Sequence, residues 1–486
     1  MNRYLLILPI LVATPALYAS DEPADSIAAT AILQRQLTVD AQTTRFVSAP
    51  YASPAMRQLR LPFTYGTVGA GWQGEYMSEA VNPQTGSGEQ YGFFSADAEL
   101  KSGTSTLWGT AGYTNGIIRD VRYNETSDIS LIYPYVTADE VGGDMRAERY
   151  SFSGGYSDRY RRMAWGVSLS YDAGLYYRNI DPRPRNTTGT LDIDAGVALR
   201  TWADYYIGLS GAYRKYRQTC DLMFMSETGE AKVYHLTGLG NHYARFAGTG
   251  YCNYYDGERY LARVTLVRAS RTGLSVDAEF SRFLFDHILK DLNRLPMASA
   301  WHNEARLHVA WRHSGESHSW GIKTEGDLYR RHGSENIFGD AVTGTYPQIG
   351  SLEMYADNLR QISASMFYEF TGKSLTWSIT PEWGYTYRSE VYASPAASRR
   401  TESNNVAITA AIASVNADRW YWRIEASAFV SDGLNLGTLR TGSISMSLSR
   451  RLRADHAIGI SLGYRHSDYT EGPTANGGNA SIQFIF

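Results

Sequence analysis

The chain has 486 residues and a formal net charge of −3, long enough for two or three soluble domains and too nearly neutral to suggest nucleic acid as a partner. Mean hydropathy is mildly negative, and nowhere past the N-terminus do about eighteen apolar residues run unbroken, which excludes a helical membrane protein. Tyrosine is unusually frequent at 36, against 16 Phe and 11 Trp; an apolar ring with a polar tip suits a boundary between oil and water.

The first nineteen residues read as a secretory signal. Arg3 supplies the charged start, Leu5 to Val12 the apolar stretch and Ala16-Leu17-Tyr18-Ala19 the small-residue exit. Residues 20–62 read as a periplasmic extension ahead of the first strand. Within it "DSIAATAILQRQL" (Asp25–Leu37) predicts a short amphipathic helix capped by Asp25 or Ser26, and Pro50, Pro54 and Pro62 break the chain. The alternative for this segment is a small insert that enters a lumen.

From 63 to 486 one pattern repeats. In Met163–Tyr177, Met163, Trp165, Val167, Leu169 and Tyr171 begin an unbroken apolar row at every second position. In Trp301–Trp311, Trp301, Leu307, Val309 and Trp311 share a face opposite His302, Glu304, Arg306 and His308. Ser374–Arg388 and Gly442–Leu452 alternate in the same way. A period of two means strands with one oily and one wet face. Eighteen such segments run from 64–77 to 478–486. Tight connections (102–104, 158–161, 201–202, 271–272, 314–316, 372–373, 416–418, 453–454) alternate strictly with longer ones such as 115–146, 217–257, 283–299 and 331–358. A transmembrane antiparallel up-and-down β-barrel needs this arrangement: a lipid-facing row, a polar lumen, short periplasmic turns and long extracellular loops. In lipid a sheet survives only when closed, because every backbone group must pair internally. The expectation is eighteen strands, with sixteen to twenty allowed.

The chain ends "ASIQFIF", with Phe486, Phe484, Ile482 and Ala480 on one face. This resembles the signature by which bacterial outer-membrane β-barrels are handed to their assembly machinery, with Phe486 as the terminal signal. With its Tyr-rich strands and Gly-studded turns, the mature chain resembles the single-domain outer-membrane barrels of uncharacterised function found in Bacteroidetes. The resemblance implies an outer-membrane location, with lipid and the assembly machinery as partners. The chain shows no large plug domain of the TonB-dependent type and no repeated periplasmic modules.

Candidates for chemistry are sparse. His313-Ser314 and His318-Ser319 put a base beside a nucleophile, but adjacent strand residues face opposite ways. Asp192 and Asp194 share a face, where lumen solvation competes with acid–base work. "RFLFDHILKDLNRL" has spacing that predicts one or two helical turns over the mouth, carrying Asp286 and His287. There is no zinc-spaced Cys/His set, phosphate-cradling loop or EF-hand pattern, so no enzyme activity, cofactor or metal is expected. Cys220 and Cys252 fall in one outer loop of an exported chain and are predicted to pair as a disulfide; the alternative is two unrelated small apolar residues.

The predicted lumen wall carries Glu304, Arg306 and His308 on one strand and Lys323, Glu325 and Asp327 on the next. The preferred register sets Arg306 opposite Glu325 and Glu304 opposite Asp327. The primary functional expectation is passage of a small solute through a polar lumen partly covered by 115–146, 217–257 and 331–358. Two alternatives stay open: hydrophobic-substrate transport, with an apolar pocket from Leu222, Met223, Phe224 and Met225, and a closed barrel acting as adhesin, assembly partner or enzyme.

Overall fold

The computed structural model describes residues 31–486 apart from 227–230, 271, 343–344, 416–417 and 435. The secretory signal, Asp25 and Ser26 lie outside the described residues. In chain order the strands are β1 (Tyr65–Met77), β2 (Gly88–Ser102), β3 (Ser105–Val121), β4 (Thr137–Asp139), β5 (Gly143–Tyr160), β6 (Met163–Tyr177) and β7 (Arg185–Arg200). They continue with β8 (Tyr205–Asp221), β9 (Val233–Gly238), β10 (Asn241–His242), β11 (Asn253–Arg268), β12 (Gly273–Leu289), β13 (Leu295–Ser314) and β14 (His318–Phe338). The last are β15 (Gln348–Thr371), β16 (Leu375–Tyr392), β17 (Ala397–Ser414), β18 (Trp420–Leu434), β19 (Gly437–Arg453), β20 (His456–Tyr469) and β21 (Thr474–Ile485). Strands β4, β9 and β10 form a small separate sheet; the other eighteen form one sheet. β1 pairs antiparallel with both β2 and β21, so the sheet closes into a barrel.

The strands extend further toward the long-loop end than the sequence pattern showed. Residues 283–289 are not helical turns but the end of β12. There Phe283, Phe285, His287 and Leu289 are buried inside, while Leu284 and Ile288 alternate on the outer side. Both faces are apolar, so the two-residue period is masked. In the same way β14 and β15 absorb most of 331–358 and leave only 339–347 as a loop.

The outward face is apolar. Leu307, Ile322, Leu328, Ile362 and Met366 are about half exposed on it. Aromatic side chains ring it at two levels. Near the short turns, Trp311 lies 4.6 Å from Trp320 and Tyr368 lies 5.5 Å from Trp377, centroid to centroid. Nearer the long loops, Tyr213 lies 5.5 Å from Tyr260 and Trp301 stacks on His332 at 4.4 Å. On β14, ten residues separate Trp320 from Arg330. At about 3.3 Å per residue and a tilt of about 40°, the apolar band is roughly 25 Å tall.

Residues 31–63 are not a free extension. They run around the inner wall at the short-turn end as a collar, touching strands in falling order. Helix α1 (Ile32–Asp40) lies against β18, β19 and β20; the turn Gln42–Arg45 lies against β15; residues 49–52 meet β11 and β12; residues 54–59 meet β3 and β5 to β8. The wall holds it with inward-facing polar groups. Glu99 accepts from Arg57 at 2.9 Å and from Arg60 at 3.1 Å. Glu369 accepts from the Gln42 backbone N–H at 2.7 Å, Arg312 donates to the Thr43 carbonyl, and Arg45 pairs with Glu425 at 3.0 Å.

Small wall residues make room. Ala164, Gly166, Gly196, Ala198 and Gly208 form a shallow seat for residues 53–56. A Cβ at Gly166 would lie 2.5 Å from the Pro54 backbone, and one at Gly208 would lie 2.6 Å from the Met56 methyl. Met56 and Ala55 are fully buried there. Gly166→Val should therefore unseat the collar while leaving the barrel closed. Overpacking of roughly 1–3 kcal/mol should speed tryptic cleavage after Arg57 and Arg60 by about tenfold, with heat-modifiable gel mobility unchanged. Equal cleavage rates would mean that the collar does not rest on this seat.

Candidate functional site

Between the collar and the loops at the other end the barrel encloses a lumen with two unlike walls. On β7 to β14 many inward residues are charged and most of these pair with one another, although Asp194 keeps one carboxylate oxygen without a hydrogen-bond partner. Asp192 accepts from Arg214 at 2.7 Å and from Arg259 at 3.3 Å. Arg263 pairs with Glu279 and lies 3.7 Å from Asp277. Arg306 reaches Glu304 at 2.5 Å, Asp327 at 3.3 Å and Glu279 at 3.9 Å. His308 Nδ1 meets Glu325 at 2.7 Å, and Lys323 meets the same carboxylate at 3.2 Å. The six residues Glu304, Arg306, His308, Lys323, Glu325 and Asp327 thus lie together on one inward wall. Their register differs from the expected one. Arg306 faces Asp327, His308 faces Glu325 and Glu304 faces Tyr329. The pairing starts from Ser314 opposite Ser319, which slides β14 by two residues from the expected register. It avoids the Glu304–Asp327 opposition that the expected register required, and like charges directly opposite weaken a ladder.

The other wall, β17 to β21 with β1 to β3, is mostly neutral. Ser427 bonds Ser443 at 2.7 Å, Thr441 bonds Ser467 at 2.9 Å, and Thr110 bonds Ser153 at 2.6 Å across adjacent strands. Gln73 faces Asn479, and Ser445 faces Gly463. Ser95, Ser445 and Asn479 point inward and are exposed to solvent, so this wall borders water. Its charged contacts include Arg465 with Glu75 and Arg423 with Glu425 at 2.6 Å, pairs that neutralise themselves, while Glu99 is held by the collar arginines.

A lid covers the charged side. Loops 122–142 and 231–252 fold inward, β4 pairs with β9, and Ile132, Tyr135, Val136 and Phe246 pack on Phe283, Phe285, Met297 and Phe338 of the wall. Arg331 of β14 donates to the carbonyls of Tyr133, Ser130 and Leu131 and so anchors the turn Ile129–Ile132. Deeper in the lid, Arg178 pairs with Asp139 at 2.7 Å and lies 4.0 Å from Glu125, all three fully buried. Burial and the Asp139 carboxylate push Glu125 well above the usual carboxylate range. His235 of β9 is also buried, with no partner on either ring nitrogen. Burial pushes its imidazole down to about 4.

The remaining candidates fall as follows. Cys220 and Cys252 are free thiols, not a disulfide. The residue opposite Cys220 is Asn253, so Cys252 lies one position out of register, where side chains alternate to the other face. Cys220 is buried against Leu222 and Val233; Cys252 is partly exposed. His318 Nδ1 meets the Tyr368 hydroxyl at 2.7 Å on the outer surface, and Ser319 beside it is buried on the opposite face. His287 points inward and stacks on Tyr255 at 4.7 Å, while Asp286 beside it points outward. Met223 and Met225 are exposed, while Leu222 and Phe224 pack on Cys220 and Val233, so the four residues do not line one pocket together. Phe486 lies over Gly66 and exchanges two backbone hydrogen bonds with it, at 2.7 and 3.0 Å. The collar's anchors were the functional groups that sequence reasoning missed. Glu99, Glu369 and Glu425 read as ordinary lumen charges, and only the run of Gly and Ala at one height on β6 to β8 signals an occupant.

A family profile matches residues 54–441, which span the end of the collar and most of the barrel. The chain belongs to DUF6850, a family of unknown function. No curated protein matches the DUF6850 chain. Among solved structures it is similar to the ferric preacinetobactin receptor BauA from Acinetobacter baumannii at 8% identity, with 86% of this chain and 80% of that chain covered and a TM-score of 0.40. It is similar to the ferric citrate transporter FecA at 11% identity, 86% and 78% coverage and a TM-score of 0.40. It is similar to the copper transporter OprC at 7% identity, 87% and 80% coverage and a TM-score of 0.40. Similarity this low is one of outline; the barrel of the DUF6850 chain is established by its own strand pairing.

Two measurements follow for the lid. His235 has a folded value below its ordinary 6.5, so its contribution to docking is complete above that value and is lost as pH falls from 6.5 toward 4. The full effect is worth roughly 3 kcal/mol. Glu125, raised in the folded state, acts in the opposite sense. His235→Leu should therefore protect β9 amides from exchange more than wild type does at pH 5 and no more at pH 7.5, compared at matched pH. A constant difference would remove His235 as a proton-linked element. For the thiols, a maleimide should label Cys252 in the folded DUF6850 chain and Cys220 only after unfolding, reaching two equivalents without reductant. One buried thiol and one accessible thiol account for this order.

Proposed function

We propose that the chain is an outer-membrane barrel that passes small, polar, uncharged solutes along its hydroxyl-lined wall. The membrane assignment rests on the roughly 25 Å apolar band between two aromatic girdles, with short turns at one end and longer loops at the other. It carries with it lipid around the band, the assembly machinery as a partner for the terminal strand, the periplasm at the collar end and transport with no reaction.

One observation carries the choice of solute. The water-exposed wall presents Ser, Thr, Asn and Gln, while the charged wall is neutralised by its own ion pairs. An ion entering meets no net field to hold it, and a sugar-like solute meets a ladder of donors and acceptors that replace its water. The collar and lid narrow the path at either end. Hydrophobic-substrate transport gains no support, because Met223 and Met225 point to solvent while Leu222 and Phe224 pack against Cys220 and Val233.

Planar-bilayer conductance and swelling of protein-loaded liposomes in neutral sugars test the reading together. Swelling in sugars above protein-free liposomes is expected, with small conductance; an inserted barrel that neither swells nor conducts would overturn it. In a conducting protein, Arg306→Ala should shift the reversal potential toward cations. It leaves Glu304, Asp327 and Glu279 without their shared guanidinium. An unchanged reversal potential would remove this wall from the pathway.

A further inference from the structure

The outer surface of β12 to β15 carries charge that the barrel does not neutralise. Arg282, Asn303, Arg330 and Asn358 stand directly opposite one another across four adjacent strands. Arg360 lies two residues along β15 from Asn358, diagonal to Arg330. All three arginines are exposed. Among the described residues none of the three has a carboxylate partner. Strands lie about 4.8 Å apart, so Arg330 stands roughly 10 Å from Arg282 and about 8 Å from Arg360, and the three positions span about 16 Å. Like charges this close on a sheet repel one another, and elsewhere this chain avoids the problem: Arg119 pairs with Asp144 at 2.7 Å and Lys215 with Asp256 at 2.7 Å.

Two of the three are also oriented. The Arg282 guanidinium lies 4.9 Å from the Trp301 ring centroid, and Arg360 lies 5.9 Å from that of Tyr387. Stacking covers the flat face and leaves the N–H edges free, the geometry that takes phosphate oxygens in pairs. Directly below, toward the middle of the apolar band, Phe280, Leu328 and Ile362 stand outward and exposed. A cluster of free cationic edges above an apolar surface fits an amphiphile: an anionic head with acyl chains beneath it.

The geometry points to a binding site for a lipid with a phosphorylated head, held by Arg282, Arg330 and Arg360 on the long-loop side of the barrel. This rests on the membrane reading above, and it concerns a surface that faces away from the lumen. The apolar ledge selects a lipid over free phosphate, because a free anion has no use for Phe280, Leu328 or Ile362.

The test uses the full chain reconstituted in phosphatidylcholine vesicles with and without diphosphoryl lipid A, then extracted in mild detergent and analysed for retained lipid. Wild type should retain lipid A over phosphatidylcholine, and raising salt from about 0.05 to 0.5 M during extraction should weaken retention. Arg282→Gln with Arg330→Gln and Arg360→Gln should reduce retention about tenfold, and Arg360→Gln alone by a smaller factor. Arg119→Gln, on the far side and already paired, should change nothing. Heat-modifiable mobility scores insertion separately. A chain that fails to insert overturns the membrane reading and this site with it. A chain that inserts but holds lipid A no better than phosphatidylcholine, or no better than the triple variant does, overturns this site alone. Full displacement of lipid A by millimolar inorganic phosphate overturns the lipid as occupant.

Discussion

The pairing of β1 with β21, from Thr67 opposite Ile485 to Met77 opposite Ala475, removes the last open edge of the sheet. With every strand flanked on both sides, the backbone needs nothing from its surroundings, and the side chains alone decide what the inside and outside touch. The outside becomes a uniform apolar band. The inside inherits a harder problem. An eighteen-strand ring is wide enough to hold water, and whatever is placed there must be solvated, paired or packed.

All three solutions appear at different heights. At the short-turn end the space is packed by the collar, whose backbone groups are met by Glu369 and Arg312. At the long-loop end it is packed by the lid against Phe283, Phe285 and Met297. Between them the charged wall pairs within itself and the serine-rich wall remains wet. The charges sit beside the lid-covered strands, where low polarity would make an isolated ion costly; Arg214, Arg259, Arg263 and Arg306 each touch a carboxylate, and Arg312 and Arg331 are held by carbonyls of the collar and lid. The neutral wall sits where water reaches, so its hydroxyls need no ions to satisfy them. Burial and wall chemistry are thus matched strand by strand.

Much of this was legible in the sequence, and the parts that were not share a cause. The two-residue period located every barrel strand, because one face had to be apolar. It failed at the long-loop ends of β12 and β14, where the inner face is apolar too and alternation vanishes. Register between β13 and β14 turns on a two-residue slide that keeps every side chain on its face, and local charge matching could not choose it without knowing that Ser314 faces Ser319. The same parity separates Cys220 from Cys252: sharing a loop placed them near each other, but facing residues decide which side chains meet. The collar left the faintest trace. Its helical periodicity covers only the short α1, and its partners are scattered over strands from 39 to 381 residues away, each unremarkable alone.

That scattering bears on the order of assembly. Gln34 donates to the Val415 carbonyl across 381 positions, and Gln42 to Glu369 across 327. The segment that leaves first in synthesis therefore finds its contacts last, because α1 rests on strands β18 to β20 that form at the other end of the chain. Long-range contacts of this kind cost the most chain entropy and form late. Until β18 to β20 are in place, α1 has no surface to lie on; once the ring shuts, the whole collar is inside. Its seating is a built-in register of completion, present only in molecules whose first and last strands have already met.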